Sequence, residues 1–413
     1  MMTDSITNKE IKFLNKIIHR NSKSISKKYK LSPNSLSNED IIKGFEVLST
    51  KKITMGKKTK LFEKEFSKFI GSKYALMVNS GSSANLLATF ALTNPLHKNK
   101  LKKGDECLIP ALCWSTSLWP IVQSGLVPKF VDVDPETLNI SLTDLEKQIT
   151  KKTKALMLVH VLGNSANMNK LIKIVKKHRL KLIEDTCESL GSKFRKKSLG
   201  TFGNFGTYSF YYSHQITSGE GGMIVCNTKN DFEIIHSLRS HGWDRGLKGT
   251  KDSFNFINSG FNLRPTEISA AIGLNQFKRI KTFQKIREHN RQKIITKLKS
   301  SNNWNNQFDF IYPINSLKPS WFGMPMLINK KFLHKKNKFL KYLTNCGIEN
   351  RPIISGNFLN QPSIKIYNLS NKKKFFGAQE IEDRGFFIGI HINKINNKTL
   401  NFLEKKLLSI NSL

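Results

Sequence analysis

The segment Ser209–Gly222 holds the residue best suited to move a proton. It reads SFYYSHQITSGEGG and places His214 among hydroxyl, aromatic and glycine residues. Imidazole has an unperturbed pKa close to neutral pH, so it gives and takes protons under physiological conditions. A lone histidine is more often structural than catalytic. These polar and glycine neighbours, in place of an apolar helix face, favour a site residue.

Two further segments carry groups that bind charge. Leu182–Glu188 (LIEDTCE) ends an apolar strand with acids. A carboxylate at the carboxyl end of a parallel strand faces the crevice where α/β proteins bind ligands, so Asp185 is a candidate partner for a protonated ring nitrogen. Asn79–Asn85 (NSGSSAN) lies between a strand and a helix, where backbone N–H groups and the hydroxyls of Ser82 and Ser83 form an anion site. The plain alternatives are a solvated strand end and an ordinary helix cap.

These segments fall where short apolar strands alternate with helices. The pattern predicts strands at 75–78, 106–109, 128–133, 155–161, 181–184, 206–212 and 222–226, and helices at 84–92, 115–124, 143–149, 168–178 and 280–298. Such alternation predicts a mostly parallel sheet with helices on both faces. We expect a basic helical extension at 1–50, a large domain at 51–280 that carries the three segments, and a small α+β domain at 281–413.

Charge and composition exclude several classes of protein. The chain has 68 Lys and Arg against 30 Asp and Glu, a net charge of +38. The lysines are spread over the whole length, which favours a solvated basic surface over a nucleic-acid reader, and the charge helps to attract an anionic substrate. No apolar run reaches the roughly 20 residues of a membrane span. The first residues lack the apolar core of a secretory signal, so we expect a cytoplasmic protein.

Together the three segments resemble, in this order and spacing, the DegT/StrS sugar aminotransferase family of fold-type-I PLP enzymes. The resemblance covers roughly residues 45–395, and further matching pieces are Pro110–Thr116, Val131–Pro135, Arg239–Gly242 and Gly260–Glu267. It implies an aspartate-aminotransferase-like α/β fold, with a mostly parallel mixed sheet in the large domain and a smaller C-terminal α+β domain. The implied cofactor is pyridoxal 5'-phosphate (PLP) or its amine form, pyridoxamine 5'-phosphate (PMP).

One position departs from the family pattern. The S-x-x-x-x-K motif of the family places the lysine that binds the cofactor five residues after a serine, and here that position after Ser209 is His214. Imidazole has no primary amine and cannot hold the cofactor aldehyde covalently, so we expect an enzyme that works from PMP. By resemblance, the exchange marks the branch that removes the C3 hydroxyl of nucleotide-linked 4-keto-6-deoxyhexoses in deoxysugar and lipopolysaccharide O-antigen biosynthesis.

The cysteines distinguish two types within that branch. One type carries an iron–sulfur cluster and takes electrons from a partner reductase, with cysteines after the region equivalent to Arg239–Arg245. Here no cysteine lies between Cys226 and Cys346, and the five cysteines form no C-x-x-C pair. The sequence therefore resembles the cluster-free, colitose-pathway type, which regenerates PMP from glutamate without an external reductase. The nucleotide, GDP or CDP, and the hexose stereochemistry stay open.

The resemblance also assigns roles to residues. The predicted catalytic residues are His214 and Asp185. The predicted cofactor-binding residues are Ser82, Ser83, Trp114, Asp185, Glu188, Ser209 and Asn262, and the predicted substrate-binding residues are Arg351, Asn357 and His391. Trp114 is expected to stack on the pyridine ring, the serines to hold the phosphate, and Arg351 to pair with the pyrophosphate. Asn262 is expected to reach the phosphate from a second subunit, which implies a homodimer with a shared active site.

Two alternatives remain at the level of sequence. The first is a nucleotide-sugar aminotransferase of the same family with a relocated lysine, but no lysine lies between Lys197 and Lys229. The second is a non-catalytic basic protein that binds nucleic acid. Dispersed charge and the complete set of cofactor residues argue against it.

Overall fold

The computed structural model describes residues 7–21, 28–32, 36–247 and 254–413. Its helices are α1 Asn8–Asn21, α2 Asn38–Ser49, α3 Lys57–Ile70, α4 Gly81–Thr93, α5 Ser115–Gln123, α6 Leu142–Gln148, α7 Met168–Lys177, α8 Lys229–Arg239, α9 Glu267–Phe277, α10 Ile280–Lys299, α11 Lys336–Asn345, α12 Pro362–Ile366, α13 Phe376–Arg384 and α14 Asn397–Leu407. Its strands are β1 Tyr74–Val78, β2 Glu106–Pro110, β3 Val127–Val131, β4 Val133–Asp134, β5 Asn139–Ile140, β6 Thr153–Val159, β7 Lys181–Asp185, β8 Lys193–Phe194, β9 Lys197–Ser198, β10 Phe205–Ser209, β11 Gly222–Cys226, β12 Phe308–Phe310, β13 Leu317–Lys318, β14 Gly323–Ile328, β15 Asn350–Arg351 and β16 Gly385–Gly389.

The central sheet has seven strands in the order β1-β11-β10-β7-β6-β2-β3. β11 pairs antiparallel with β1 and β10, and the other neighbours pair parallel. Nearly every residue of β6, β7 and β10 is buried, as expected where helices cover both faces of a sheet. This mostly parallel mixed sheet confirms the predicted α/β fold class.

The register of the sheet sets which strand ends meet. Gly222, the first residue of β11, pairs with both Val78 at the end of β1 and Ser209 at the end of β10. Asp185 at the end of β7 pairs with Thr207 of β10. The carboxyl ends of β1, β7 and β10 therefore lie side by side at one edge, where ligands bind in open α/β sheets.

The C-terminal part forms a second sheet of four antiparallel strands in the order β12-β14-β16-β15. The 20-residue helix α10 connects it to the central sheet along the chain. Every residue of β14 and of β16 is buried. The predicted smaller α+β part is thus present.

Two predicted strands differ from the structure in more than one or two terminal residues. The strand expected at 206–212 ends at Ser209, because the chain turns there: Ser218 N–H donates to Phe210 O at 2.9 Å and closes a loop that carries His214. The strand expected at 128–133 is split into β3 and β4. The first difference matters for function, since a loop presents the imidazole beyond the sheet edge.

The division into domains at 1–50, 51–280 and 281–413 stays a prediction. Residues 1–6, 22–27 and 33–35 of the predicted extension lie outside the described residues. Among the residues that are described, no helix combines the length and apolar character that crossing a membrane requires.

Candidate active site

Four strand ends bring the predicted cofactor residues to one edge of the central sheet. β7 ends at Asp185, β10 ends at Ser209, and β2 ends at Pro110, shortly before Trp114. β1 ends at Val78, and the chain then passes directly into α4. Because these strands run in the same direction, their carboxyl ends form one crevice.

Asp185 sits at the base of this crevice and is 5% exposed. Its Oδ2 accepts hydrogen bonds from Asn85 Nδ2 and Ser117 Oγ, both at 2.7 Å, and its Oδ1 accepts one from Cys187 N–H at 3.2 Å. These three donors satisfy a polar group that is buried away from water. Oδ1 keeps one acceptor position for a further N–H donor, which suits a protonated ring nitrogen.

His214 presents one ring nitrogen to the crevice. Its Nδ1 lies 2.7 Å from Cys187 O, and its ring packs edge-on against Phe322 with centroids 5.1 Å apart. A carbonyl oxygen only accepts hydrogen bonds, so Nδ1 carries the hydrogen and Nε2 carries the lone pair. Within the described residues Nε2 has no hydrogen-bond partner, which leaves it available to take a proton.

The surroundings of His214 keep its ring neutral. Burial lowers the pKa of the imidazole to about 4, the hydrogen bond to Cys187 O and the charge of Asp185 oppose this, and the charge of Arg287 adds to it. At neutral pH the free nitrogen is therefore a base. This is the state required of a group that begins a reaction by removing a proton.

Gly81, Ser82 and Ser209 form a small recess beside His214 at the N-terminus of α4, which we call the cradle. A Cβ on Gly81 would lie 2.5 Å from Ser209 Cβ and 2.8 Å from Cys187 Sγ, so only glycine allows this close approach. Gly81 and Ser82 open the helix, where backbone N–H groups lack intrahelical partners. That these N–H groups and the hydroxyls of Ser82 and Ser209 hold a phosphate stays a prediction, and a helix N-terminus of this kind suits an anion.

Ser83 contributes differently from Ser82. Its hydroxyl donates to Asn79 Oδ1 at 2.6 Å, and its backbone N–H donates to the N-cap Ser80 Oγ at 3.1 Å. Ser82 is exposed, and its hydroxyl lies 3.1 Å from Thr116 Oγ1. Ser83 thus holds the turn together, and its contact with a phosphate stays a prediction.

Gly81→Ala is expected to weaken cofactor binding. The added methyl group forces Ser209 away from the helix N-terminus, and overpacking of this kind costs roughly 1–3 kcal/mol. If the whole cost falls on cofactor binding, the Kd for PLP rises by about 5- to 150-fold, measured by absorbance or fluorescence titration. Gly44→Ala is the control, because a Cβ at Gly44 in α2 meets a flexible Ile272 side chain at 3.2 Å. Equal affinity in the two variants would contradict the assigned cradle.

Trp114 and Glu188 differ in exposure. Trp114 is the N-cap of α5 and is 56% exposed, so its ring is free to cover a flat ligand. Glu188 Oε2 accepts a hydrogen bond from Leu162 N–H at 3.1 Å. Burial raises the pKa of Glu188 to about 7, the charge of Asp185 adds to this, and the hydrogen bond opposes it. Glu188 can thus exchange a proton near neutral pH.

In the described residues, the other predicted side chains make no hydrogen bond to Asp185, Ser209 or His214. Asn262 is exposed and accepts a hydrogen bond from Arg264 Nε at 3.1 Å. The side chain of Arg351 is 61% exposed and pairs with Glu349 at 3.3 Å. Their roles toward cofactor and substrate stay predictions.

Asn357 and His391 have structural partners of their own. The carbonyl oxygen of the Asn357 side chain accepts from Leu359 N–H at 3.2 Å and caps a short turn. His391 stacks on Tyr29 with ring centroids 4.2 Å apart, and its Nε2 lies 2.9 Å from Lys30 O. These contacts do not require a substrate, so their predicted roles in binding it stay untested.

Sequence reasoning assigned no role to three polar residues that the structure places around the site. Asn85 and Ser117 hold the Asp185 carboxylate, and the Arg287 guanidinium lies behind the His214 loop, 3.3 Å from His214 O. Asn85 carried a signal, because it is a polar residue inside an otherwise apolar helix. Ser117 and Arg287 carried none, since serine at a helix start and arginine in a basic helix are common.

The residues at this edge fit PLP. The fit rests on three observations: a carboxylate with a free acceptor position, a glycine-lined helix N-terminus that a Cβ would fill, and an exposed indole ring shortly after the end of β2. They match the ring nitrogen, the phosphate and the ring face of the cofactor.

Comparison with known proteins agrees with this geometry. The model of the DegT/DnrJ/EryC1/StrS aminotransferase family matches residues 34–401. GDP-4-keto-6-deoxy-D-mannose 3-dehydratase from Escherichia coli O55:H7 is 39% identical over 358 residues, which cover 84% of this chain and 90% of that protein.

Two solved structures are similar over nearly the whole chain. The E. coli GDP-4-keto-6-deoxy-D-mannose-3-dehydratase with bound hydrated PLP has a TM-score of 0.86 and 36% identity, covering 93% of this chain and 100% of that one. GDP-4-keto-6-deoxymannose-3-dehydratase with a trapped PLP-glutamate geminal diamine has a TM-score of 0.85 and 36% identity, covering 92% and 100%. These matches confirm the resemblance found in the sequence, and the chain belongs to the DegT/DnrJ/EryC1/StrS aminotransferase family.

Proposed function

We propose that this enzyme removes the C3 hydroxyl of a nucleotide-linked 4-keto-6-deoxyhexose, with His214 as its proton carrier and PMP as its working cofactor. The observation that carries the proposal is the His214 imidazole at the family's lysine position, with its Nε2 free at the sheet edge. The relatives named above act on GDP-4-keto-6-deoxy-D-mannose, so we propose a GDP-linked substrate. The reaction belongs to deoxysugar and lipopolysaccharide O-antigen biosynthesis.

The cofactor, when bound, supplies an amine that condenses with the C4 ketone and a ring that accepts electrons. The residues of the chain provide positioning and proton transfer. His214 Nε2 takes a proton from the carbon beside the amine and delivers one to the departing C3 hydroxyl, which leaves as water. One imidazole can carry out both proton transfers. Burial keeps it neutral at the start, so it can accept the first proton, and it can then donate that proton to the C3 hydroxyl.

Asp185 and the cradle act on the cofactor. The Asp185 carboxylate, held by Asn85 and Ser117, keeps the ring nitrogen protonated so that the ring withdraws electrons. The N-terminus of α4 and Ser209 hold the phosphate. Since no lysine tethers the cofactor, these contacts and the Trp114 ring must retain it.

Glutamate is the proposed amine donor. Removing oxygen from C3 reduces the sugar by two electrons, and oxidation of glutamate to 2-oxoglutarate supplies them. The net reaction converts the sugar and glutamate to the 3-deoxy-4-keto sugar, 2-oxoglutarate and ammonia. The similar dehydratase structure with a PLP-glutamate adduct supports this choice, and no separate reductase is needed.

Product stoichiometry tests the proposal. The purified enzyme with PLP, glutamate and GDP-4-keto-6-deoxymannose is expected to release one 2-oxoglutarate and one ammonia for each 3-deoxy sugar formed. An aminotransferase, the alternative within the family, would release 2-oxoglutarate without ammonia because the nitrogen stays on the sugar. A 4-amino sugar as main product would therefore overturn the proposal. The same assay with a CDP-linked sugar tests the nucleotide.

We also propose a cytoplasmic homodimer with a shared active site. Phe254 is 79% exposed and stacks on Trp243 with ring centroids 5.0 Å apart, and Phe256 and Ile257 beside it are also exposed. An apolar ridge of this kind is typical of a surface covered by another subunit. The exposed Asn262 follows this ridge in the chain and is proposed to reach the partner's phosphate site. Analytical ultracentrifugation tests the dimer.

A further inference from the structure

Helix α10 turns a row of polar side chains toward the protein interior. Gln284, Arg287, Asn290 and Arg291 recur at helical spacing, and the last three are at most 4% exposed. Gln284 Nε2 reaches Ser320 Oγ at 3.2 Å, and Asn290 Nδ2 reaches His391 O at 3.0 Å. Gln284 Nε2 also lies 3.5 Å from Leu190 O, so the row contacts both the loop after β7 and the C-terminal part.

Arg287 is the member of this row that touches the active-site loop. Its Nη2 donates to His214 O at 3.3 Å, and its Nε has no hydrogen-bond partner. Among the described residues no carboxylate forms an ion pair with it. Burying an unpaired charge is costly, and burial lowers the pKa of Arg287 to about 10. A cation kept under such conditions calls for a function.

We propose that Arg287 is a positioning residue for His214, which fixes the main chain that carries the imidazole and places a permanent positive charge behind it. The inference deepens the proposed function and rests on the assignment of His214 as proton carrier. Arginine suits the task because its planar group remains charged in the interior and reaches a carbonyl with a rigid donor.

The charges around His214 act in opposite directions. The hydrogen bond to Cys187 O raises the pKa of the imidazole, as does the charge of Asp185 at the end of β7, whereas Arg287 on α10 lowers it. Glu188 lies three residues after Asp185. Tyr211 lies on the same loop as His214, and the centroids of these two rings are 6.0 Å apart. Of the groups named here, Arg287 is the one that carries a positive charge. Removing that charge is therefore expected to favour the protonated ring.

Titration of His214 by NMR tests the charge directly. The full-length protein is labelled with ¹³C-histidine, loaded with PMP, and titrated, and the His214 signal is identified by its loss in His214→Asn. In Arg287→Met the pKa of His214 is expected to rise by roughly one unit. A neighbouring full charge shifts a pKa by roughly one to three units, and we expect the lower end of that range here. In Arg287→Lys, which retains the charge, the pKa is expected to stay near the parent value.

Kinetics of the same variants test the positioning. Both Arg287→Met and Arg287→Lys are expected to lower kcat by about 10- to 100-fold, as small misplacements of a reacting group do, with a smaller change in KM. The acid limb of the pH profile of kcat/KM should move to higher pH in the Met variant alone. If Arg287→Lys keeps the acid limb at the parent pH while its kcat falls, the charge of Arg287 and its positioning of His214 are two separate contributions.

Arg291 offers a matched control one turn further along α10. It is 1% exposed, donates to Ile311 O, and has its guanidinium 4.2 Å from the Trp321 ring. Arg291→Met is expected to lower the melting temperature without moving the His214 titration. An unchanged titration and kcat in both Arg287 variants would overturn the inference, and so would an equal pKa shift in Arg291→Met. Because the titration needs no turnover, its result is independent of whether the proposed reaction is correct.

Discussion

Replacing His214 with Asn is expected to abolish loss of the C3 oxygen from GDP-4-keto-6-deoxymannose. Asn is polar and close in size to His, but it cannot titrate, so neither the first proton removal nor protonation of the departing hydroxyl has a carrier. Loss of a general acid–base costs about 10²–10⁴-fold in a single step. Because the imidazole serves both steps, we expect the upper end of this range in kcat, measured by chromatography of the deoxysugar.

The control for this prediction is His334→Asn, which makes the same chemical change at an exposed residue in the short turn before α11. Its activity is expected to equal that of the parent enzyme. The absorbance of bound PLP should persist in His214→Asn, since the cradle and Asp185 are intact. Dehydration at the parent rate in His214→Asn would remove His214 from the mechanism.

Asp185→Asn is expected to have the second-largest effect. Oδ2 of Asp185 accepts from both Asn85 and Ser117, and Oδ1 keeps one acceptor position that suits a protonated ring nitrogen. An amide carries no charge to hold a proton on that nitrogen, and its NH₂ group meets donors where acceptors are needed. Loss of one preorganised electrostatic partner lowers kcat by roughly 10²–10³-fold. The bound cofactor should also absorb differently, because its ring nitrogen is then unprotonated.

Ser117→Ala separates charge from geometry in this prediction. It removes one hydrogen bond to Asp185 but keeps the carboxylate, so the expected loss of activity is about tenfold, from a hydrogen bond to a charged group. Equal losses in Ser117→Ala and Asp185→Asn would show that orientation, and not charge, is what Asp185 contributes.

The alternation of strands and helices made the central sheet predictable from the sequence. Buried parallel strands form short continuous apolar runs, and β2, β6, β7 and β11 were predicted to within two residues at each end. The end of β10 was not, because Phe210–Tyr212 continue the apolar and aromatic pattern of the strand. The hydrogen bonds of Phe210 with Ser218 and Gly221, which no local pattern encodes, show where the chain turns.

The site was predictable where the residue type itself carries the chemistry. Glu184 and Asp185 are adjacent acids, and the sequence pattern alone does not say which one faces the crevice. In the structure Glu184 is fully buried on the other face of β7 and accepts from Gly200, Phe202 and Gly203 N–H, so it supports a loop. The contact of Arg287 on α10 with the His214 loop could not be predicted from the sequence, because it depends on how distant parts of the chain pack.

Borohydride reduction of the PLP-loaded enzyme, followed by mass spectrometry of the intact chain, tests the central claim most directly. Borohydride fixes the cofactor permanently to any lysine that holds it covalently. The parent enzyme is expected to keep its unmodified mass, whereas His214→Lys should gain the mass of the reduced cofactor at residue 214. A reduced cofactor found on any lysine of the parent chain would contradict the assignment of His214 as an untethered proton carrier.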